Sequence, residues 1–206
     1  MSNEVVIADL GLGNLRSVAR AVERAGGRAT ISADPDALRS APRVIVPGQG
    51  AFRDCSLALT RGFAEALREV IAKGTPYLGL CLGMQLLFES SEEAEGLPGL
   101  GLFEGKVLRF AGDMRDPETH DRLKVPHMGW NEVEGAHPFL PARGYFYFVH
   151  SFYCAPHDAS LTVGTARYGI PFCAAVAKDN VFACQFHPEK SQAEGHLVLS
   201  RFLGGV

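Results

Sequence analysis

The sequence has no apolar run approaching the ~18–20 residues of a membrane span, and no strong excess of charge of either sign. Its 20 Lys and Arg residues nearly balance 23 Asp and Glu residues, for a formal net charge of −3. That leaves no basic field to draw in nucleic acid or an anionic membrane surface. The opening MSNEVVIADL lacks the charged region, apolar region and cleavage site of a secretory leader, so a cytoplasmic location is expected. Cysteines are few and show no paired pattern. Cys55, Cys81, Cys154, Cys173 and Cys184 are odd in number, and no two stand at C-x-x-C spacing. This argues against a disulfide framework and against a structural zinc site. The histidines His120, His127, His137, His150, His157 and His196 have no metal-ligand spacing either, and are expected to be structural or surface residues. Repeats, low-complexity tracts and linkers are missing too. At 206 residues the chain is long enough for one domain with a real core, and a second full domain would be cramped.

What is present is an alternation of short apolar strands and helical patterns. Val5–Ala8 reads as a strand, Gly11–Gly13 as a turn, and Asn14 opens a helix with Leu15, Val18, Ala19 and Val22 on one face. Thr30-Ile31 and Val44–Val46 read as further strands, the latter broken by Pro47-Gly48. Phe63–Ile71 reads as an amphipathic helix, Tyr77–Leu80 as a strand, and Leu82–Glu89 as a helix. The second half reads as strands with tight connections: Val107–Phe110, Tyr145–Tyr153, Leu161–Ala166, Cys173–Ala177 and Val181–Phe186. Ala193–Leu203 then closes the chain as a helix. The expected class is α/β, with a mostly parallel central sheet flanked by helices and additional antiparallel strands in the second half.

Gly79-Leu80-Cys81-Leu82-Gly83 is G-x-C-x-G, the cysteine counterpart of the nucleophile elbow, and it stands between a strand and a helix. A tight strand-to-helix turn crowds the backbone, and flanking glycines remove the Cβ atoms that would collide. The helix N-terminus beside the sulfur favours thiolate and offers free N–H groups to an oxyanion. The competing reading is a core cysteine beside a glycine turn. A thiolate needs a base and a group to orient that base. His187-Pro188-Glu189 supplies both types: in extended chain i and i+2 point the same way, so Glu189 can hold one imidazole nitrogen while the other faces Cys81. By itself H-x-E reads equally as a surface histidine with a solvated acid. Pro47-Gly48-Gln49-Gly50 follows a strand and can swing a peptide N–H toward a bound group, or be a plain turn. Gly11-Leu12-Gly13-Asn14-Leu15-Arg16 imitates a dinucleotide fingerprint, but Arg16 stands where the third glycine belongs.

Together, G-x-C-x-G after a strand, H-P-E near the C-terminus and P-G-x-G after an earlier strand resemble the class I glutamine amidotransferases over nearly the whole chain. The resemblance implies a single glutaminase domain over residues 1–206 and glutamine as the substrate. It implies that Cys81 attacks the carboxamide, His187 carries the proton to departing ammonia, and Glu189 orients His187. A glutamyl thioester forms, and water releases glutamate. The oxyanion would be held by the Leu82 N–H and an N–H from the Gly48, Gln49 and Gly50 loop. Gln49 stands where valine is more often expected, and should shift the loop's flip equilibrium without abolishing activity. Gln85 matches a substrate-binding position, and His150, Ser151 and Phe152 match the segment lining the far side of the pocket. No cofactor and no metal is implied. Val125–Asn131, Gly11–Leu15 and Tyr147–Phe152 resemble one branch of the class. Its glutaminase forms a heterodimer with a cyclase subunit, a (β/α)8 barrel, and passes ammonia to it. Asn14, Arg16, Trp130 and Lys190 match positions at or near that interface. Two other readings compete: a different cysteine hydrolase on the same architecture, and a degenerate glutaminase kept as a binding subunit. Pro188-Glu189 after His187 speaks against the first, and the intact Cys81, His187 and Glu189 speak against the second.

Overall fold

The computed structural model describes residues 3–204. In chain order its main elements are β1 (Glu4–Ala8), α1 (Leu15–Arg24), β2 (Arg28–Ser32), α2 (Pro35–Arg39), β3 (Val44–Gly48), α3 (Phe52–Ala58), α4 (Ala64–Ala72), β4 (Tyr77–Cys81), α5 (Leu82–Gln85), β5 (Phe88–Ser91), β6 (Phe103–Arg109), β7 (His127–Gly135), β8 (Arg143–His150), β9 (Phe152–Pro156), β10 (Thr162–Tyr168), β11 (Ile170–Lys178), β12 (Val181–Cys184) and α6 (Gln192–Gly204). The strands form one mixed sheet in the order β2-β1-β3-β4-β12-β11-β10-β7-β8, with β5, β6 and β9 branching from β11. From β2 to β12 the pairing is parallel. From β12 to β8 it is antiparallel. No helix among the described residues is long and apolar enough to cross a membrane.

The parallel strands are nearly continuous apolar runs because both of their faces are covered. On β3, Val44 and Val46 belong to one apolar cluster with Phe52 of α3 and Leu67 and Val70 of α4. Ile45, pointing the other way, belongs to a second cluster with Val18 and Val22 of α1 and Val198 and Phe202 of α6. The start of α1 is set locally: the Asn14 side chain accepts the Ser17 N–H at 3.2 Å, satisfying one of the free amides of the first turn. Beyond its C-terminus Gly26, at φ +90, turns the chain back, as helix-ending glycines do.

Four expectations change. The third strand is not broken at Pro47-Gly48; β3 runs through both, pairing Gly48 with Cys81. Proline is tolerated there because the ladder is about to end. The helix after Cys81 stops at Gln85 rather than Glu89. The Gly83 carbonyl, which a longer helix would offer to the Leu87 N–H, is taken by the Tyr77 hydroxyl, and the carbonyls that follow are held by a distant segment: Leu86 O accepts from Leu100 at 2.6 Å, Leu87 O from Leu102 and Phe103, and Phe88 O from Gly101. Residues 88–91 become β5, paired with β6. The expected Tyr145–Tyr153 strand is two strands, β8 and β9, which pair with different partners. Finally, β7 was not expected from the pattern, since Gly129 to Glu132 show no strict alternation.

Candidate active site

The parallel register places the C-terminal ends of β3, β4 and β12 side by side, the usual place for a site in an open α/β sheet. Cys81 ends β4 with φ 55 and ψ −105, a conformation that side-chain-bearing residues rarely adopt and that costs backbone energy. The flanking glycines follow from close packing. A Cβ on Gly79 would lie 2.6 Å from the Gly83 carbonyl oxygen, and one on Gly83 would collide with the Val46 carbonyl. The Tyr77 hydroxyl donates to Gly83 O at 2.8 Å and ties the elbow to the strand beneath. Leu82 is the first residue of α5, so its N–H has no partner within the helix.

His187 follows β12 and lies beside the thiol, 2% exposed. Its N–H donates to the Tyr147 carbonyl at 2.9 Å, and its own carbonyl accepts from the Ser191 hydroxyl at 2.6 Å. Its Nδ1 is 2.8 Å from Glu189 Oε1. Nε2 is buried with no hydrogen bond, as are Glu189 Oε2 and Gln85 Oε1. Thiol, imidazole and carboxylate thus stand in the order that acyl transfer by an activated nucleophile requires. Gln49 contributes through its side chain: its Nε2 donates to Glu189 Oε1 at 3.3 Å. Its backbone packs against the Gly11–Gly13 turn, where a Cβ on Gly13 would come 3.3 Å from the Gln49 nitrogen.

A cleft of about 350 Å³ opens over Cys81. It is lined by Leu82, Gln85, Gln49, Gly50, His150, Ser151, Phe152, His187 and Lys190, so most of the expected site residues converge. Gly48 is buried beneath Leu82, where a Cβ would strike the leucine side chain. Glu189 sits behind His187. Asn14 and Arg16 are exposed and outside the cleft lining. Trp130 also lies away from it, 47% exposed on β7, its ring edge-on to Tyr147 at 6.1 Å. Lys190 joins the two regions, lining the cleft and lying 5.7 Å over the Tyr147 ring. Three residues carried no expectation. Glu93 lines the cleft and accepts the Phe52 N–H at 2.9 Å. Gln185 donates to the Cys81 sulfur at 3.4 Å. Ser191 fastens β8 to the histidine segment through the Tyr147 N–H at 3.0 Å. None belongs to a local motif; only adjacency to H-P-E could have drawn attention to Gln185 and Ser191.

The sequence profile described as glutamine amidotransferase class-I matches residues 6–204. The chain belongs to this family. It is 48% identical to the imidazole glycerol phosphate synthase subunit HisH of Syntrophotalea carbinolica, over 96% of this chain and 98% of that protein. It is 49% identical to the protein of the same name from Neisseria gonorrhoeae, over 97% and 99%. Among solved structures, PurLQS from Thermotoga maritima shares the fold with a TM-score of 0.76 at 18% identity, covering 98% of each chain. A structure described as glutamine amidotransferase gives 0.74 at 20% identity, covering 98% of this chain and 99% of that one.

Two environments in this amidotransferase push histidines in opposite directions. Burial alone would lower His187, but the Cys81 sulfur and the Glu189 carboxylate outweigh it and hold the imidazole up at about 10, which favours the proton-bearing form. His127 and His150, 3% and 6% exposed, lack any carboxylate. Desolvation lowers them from 6.5 to about 4 and about 3. Both therefore fold neutral, whereas in the unfolded chain they protonate below about 6.5. The unfolded state binds more protons in that window, so stability falls as pH drops from about 6.5 toward 4. Each group contributes about 1.4 kcal/mol per pH unit at most. Urea midpoints measured between about pH 7 and pH 5 should show this loss. A His127→Phe variant, whose ring can occupy the stack between Phe148 and Tyr168, should show a shallower one. Equal slopes would mean that His127 titrates normally in the fold.

Proposed function

We propose that this chain is the glutaminase subunit of an imidazole glycerol phosphate synthase. The observation that carries the reading is the buried Cys81–His187–Glu189 constellation on the elbow, with the His187 Nε2 unpaired beside the thiol, in a chain 48% identical over nearly full length to subunits of that name. The Cys81 sulfur attacks the glutamine carboxamide carbon, and the oxyanion is met by the Leu82 N–H and an N–H of the Gly48–Gly50 loop. His187, in its cationic form, gives its Nε2 proton to the leaving nitrogen, and ammonia departs. Water, deprotonated by the now neutral His187, cleaves the thioester to glutamate. Glu189 keeps the imidazole oriented and supports its charge. Gln85 Oε1, buried without a partner, is an open acceptor for a substrate N–H. Glu93 is the acidic side chain of the cleft lining and suits an α-ammonium group.

The ammonia is used by a second subunit, a cyclase on a (β/α)8 barrel, which makes imidazole glycerol phosphate and an aminoimidazole carboxamide ribotide. An apolar patch supports such a partner. Met128, Trp130 and Tyr145 are 61%, 47% and 57% exposed on the paired strands β7 and β8, and a large exposed patch of this kind marks an interaction surface. Asn14, Arg16 and Lys190 would extend the docking face. The reading treats residues 1–206 as one domain acting in the cytoplasm.

The test is to mix the chain with a matching cyclase and the nucleotide intermediate and follow glutamate release from glutamine. Release should be slow for the chain alone and rise with the liganded partner. No release under either condition would remove the glutaminase reading, and full release by the isolated chain would remove the dependence on a partner. In the same mixture, Trp130→Ala should weaken association by about 2 kcal/mol, the scale of an interface hot spot, as read by titration calorimetry. An unchanged affinity would move the docking face elsewhere.

A further inference from the structure

The nucleophile has a hydrogen-bond donor that the triad does not use. Gln185 is fully buried, and its Nε2 reaches the Cys81 sulfur at 3.4 Å. Its Oε1 accepts from Gln85 Nε2 at 3.0 Å. The same Gln85 nitrogen donates its other proton to the Phe152 carbonyl at 3.3 Å. That carbonyl oxygen also faces His150 Nδ1 at 2.8 Å. His150 Nε2 lies 3.0 Å from His127 Nδ1, and His127 Nε2 lies 3.3 Å from Asn131 Nδ2.

These contacts fix the donors of two runs that meet at the Phe152 carbonyl. A carbonyl oxygen only accepts, so His150 must carry its proton on Nδ1. Neutral, it then offers Nε2 as an acceptor, and His127 must donate from Nδ1. His127 Nε2 is left to accept, and the Asn131 amide nitrogen donates to it. The outer end fixes the same donors independently. Asn131 Oδ1 accepts the Glu132 N–H at 2.8 Å, and Nδ2 donates to the Arg167 carbonyl at 2.8 Å, so the amide cannot turn over. At the inner end the Phe152 carbonyl fixes Gln85, which fixes Gln185 with its nitrogen toward sulfur. The two runs converge on the Phe152 carbonyl, which accepts from both, and the lowered basicity of the two buried imidazoles is what the outer run of neutral rings requires.

We propose that Gln185 is a positioning residue for Cys81, donating to its sulfur, and that Gln85, itself held by the Phe152 carbonyl, sets its orientation; the run from Asn131 through His127 and His150 anchors that same carbonyl. The network has two products. The sulfur gains a donor outside the triad, and Gln85 Oε1 is left facing no protein partner, available to substrate. The outer run starts beside Trp130, so β7 carries both that start and two residues of the exposed patch, Met128 and Trp130. This rests on the glutaminase reading only for what the nucleophile attacks; the network itself is a property of the free protein.

The test uses the full chain without glutamine. Alkylation of Cys81 by iodoacetamide is followed against pH, with Cys81→Ala giving the background of the four other, buried cysteines. The titratable groups around Cys81 are the His187–Glu189 pair, His150, Glu93 and Lys190 of the cleft lining, and the thiols of Cys55, Cys154 and Cys184. Gln185→Leu changes none of them. It should move the alkylation midpoint up by about one pH unit, the scale of a hydrogen bond to a charged group. Nitrogen NMR of the imidazoles should show His127 and His150 as neutral Nδ1–H tautomers near pH 7. Asn131→Asp replaces the donor by a carboxylate, so His127 should gain a proton on Nε2. A folded Gln185→Leu with an unchanged alkylation profile would overturn the role of Gln185. If that variant does not fold, the wild-type spectra decide: either imidazole found as Nε2–H, or charged, near pH 7 overturns the network. A wild type that shows both signatures yet releases no glutamate with its partner would remove the glutaminase reading and leave the network in place.

Discussion

Cys81→Ala is expected to abolish glutamine-dependent synthesis by the complex while leaving ammonia-dependent synthesis by the cyclase largely intact. The loss should be on the order of 10⁴-fold or greater, as when the nucleophile of a cooperating set is removed. The asymmetry is the diagnostic part. In the proposed reaction the sulfur serves only to release ammonia, so ammonia supplied from solution bypasses the defect. The structural cost should be small, because alanine is no worse than cysteine at φ 55 and the elbow is held from below by Tyr77. His187 offers a second readout. With the sulfur gone, one of its two supports is removed and burial remains, so the imidazole should titrate lower than in the wild type. Rates with glutamine and with ammonium salts, measured side by side, check the first point, and NMR titration of His187 checks the second. Equal loss of both activities would mean that Cys81 supports the complex rather than the chemistry.

What could be read from the sequence was what is local. The elbow announces itself within five residues, because the glycines are forced by contacts inside the turn and with the adjacent β3. His187 and Glu189 were legible as a pair from their spacing, although the chain between them is not extended as expected: Pro188–Lys190 form a 3-10 turn, and that turn brings the carboxylate to the imidazole. The parallel half of the sheet followed from apolar runs with regular punctuation. What escaped depends on distant partners. The apolar residues 86–88 fit helix and buried strand equally, and amides of residues 100–103 settle the matter. Strand β7 is specified by its register with β8, which its own irregular pattern does not display. Gln185 stood in the segment that drew attention, but its contact is with a residue 104 positions away. His127 and His150 had no spacing to link them, since only the β7–β8 pairing sets them opposite each other. Gln49 was read for its main chain, and its side chain proved to reach the carboxylate of the triad.

Glu189→Gln is the sharper probe of the triad, because it removes charge with almost no change of shape. Glu189 Oε1 takes the His187 Nδ1 contact at 2.8 Å and the Gln49 contact at 3.3 Å, and the side chain is 1% exposed. An amide oxygen in the same place can still accept from the imidazole. It cannot support the imidazolium, so His187 should fall from its raised position and the proton needed by departing ammonia becomes scarcer. Acylation should slow by about 10²–10⁴-fold, the contribution typical of an acid–base group, with a smaller change in glutamine KM because Glu189 lies behind His187 and does not line the cleft. The Gln49 contact would change from charge-assisted to neutral and weaken as well, loosening the loop that presents the oxyanion N–H in the proposed reaction. Gln49→Val in the wild type should therefore cost more than the same substitution in the Glu189→Gln background. Single-turnover thioester formation in the four proteins measures both terms. A Glu189→Gln enzyme within about a factor of two of wild type, far short of that range, would show that the carboxylate does not set the protonation of His187.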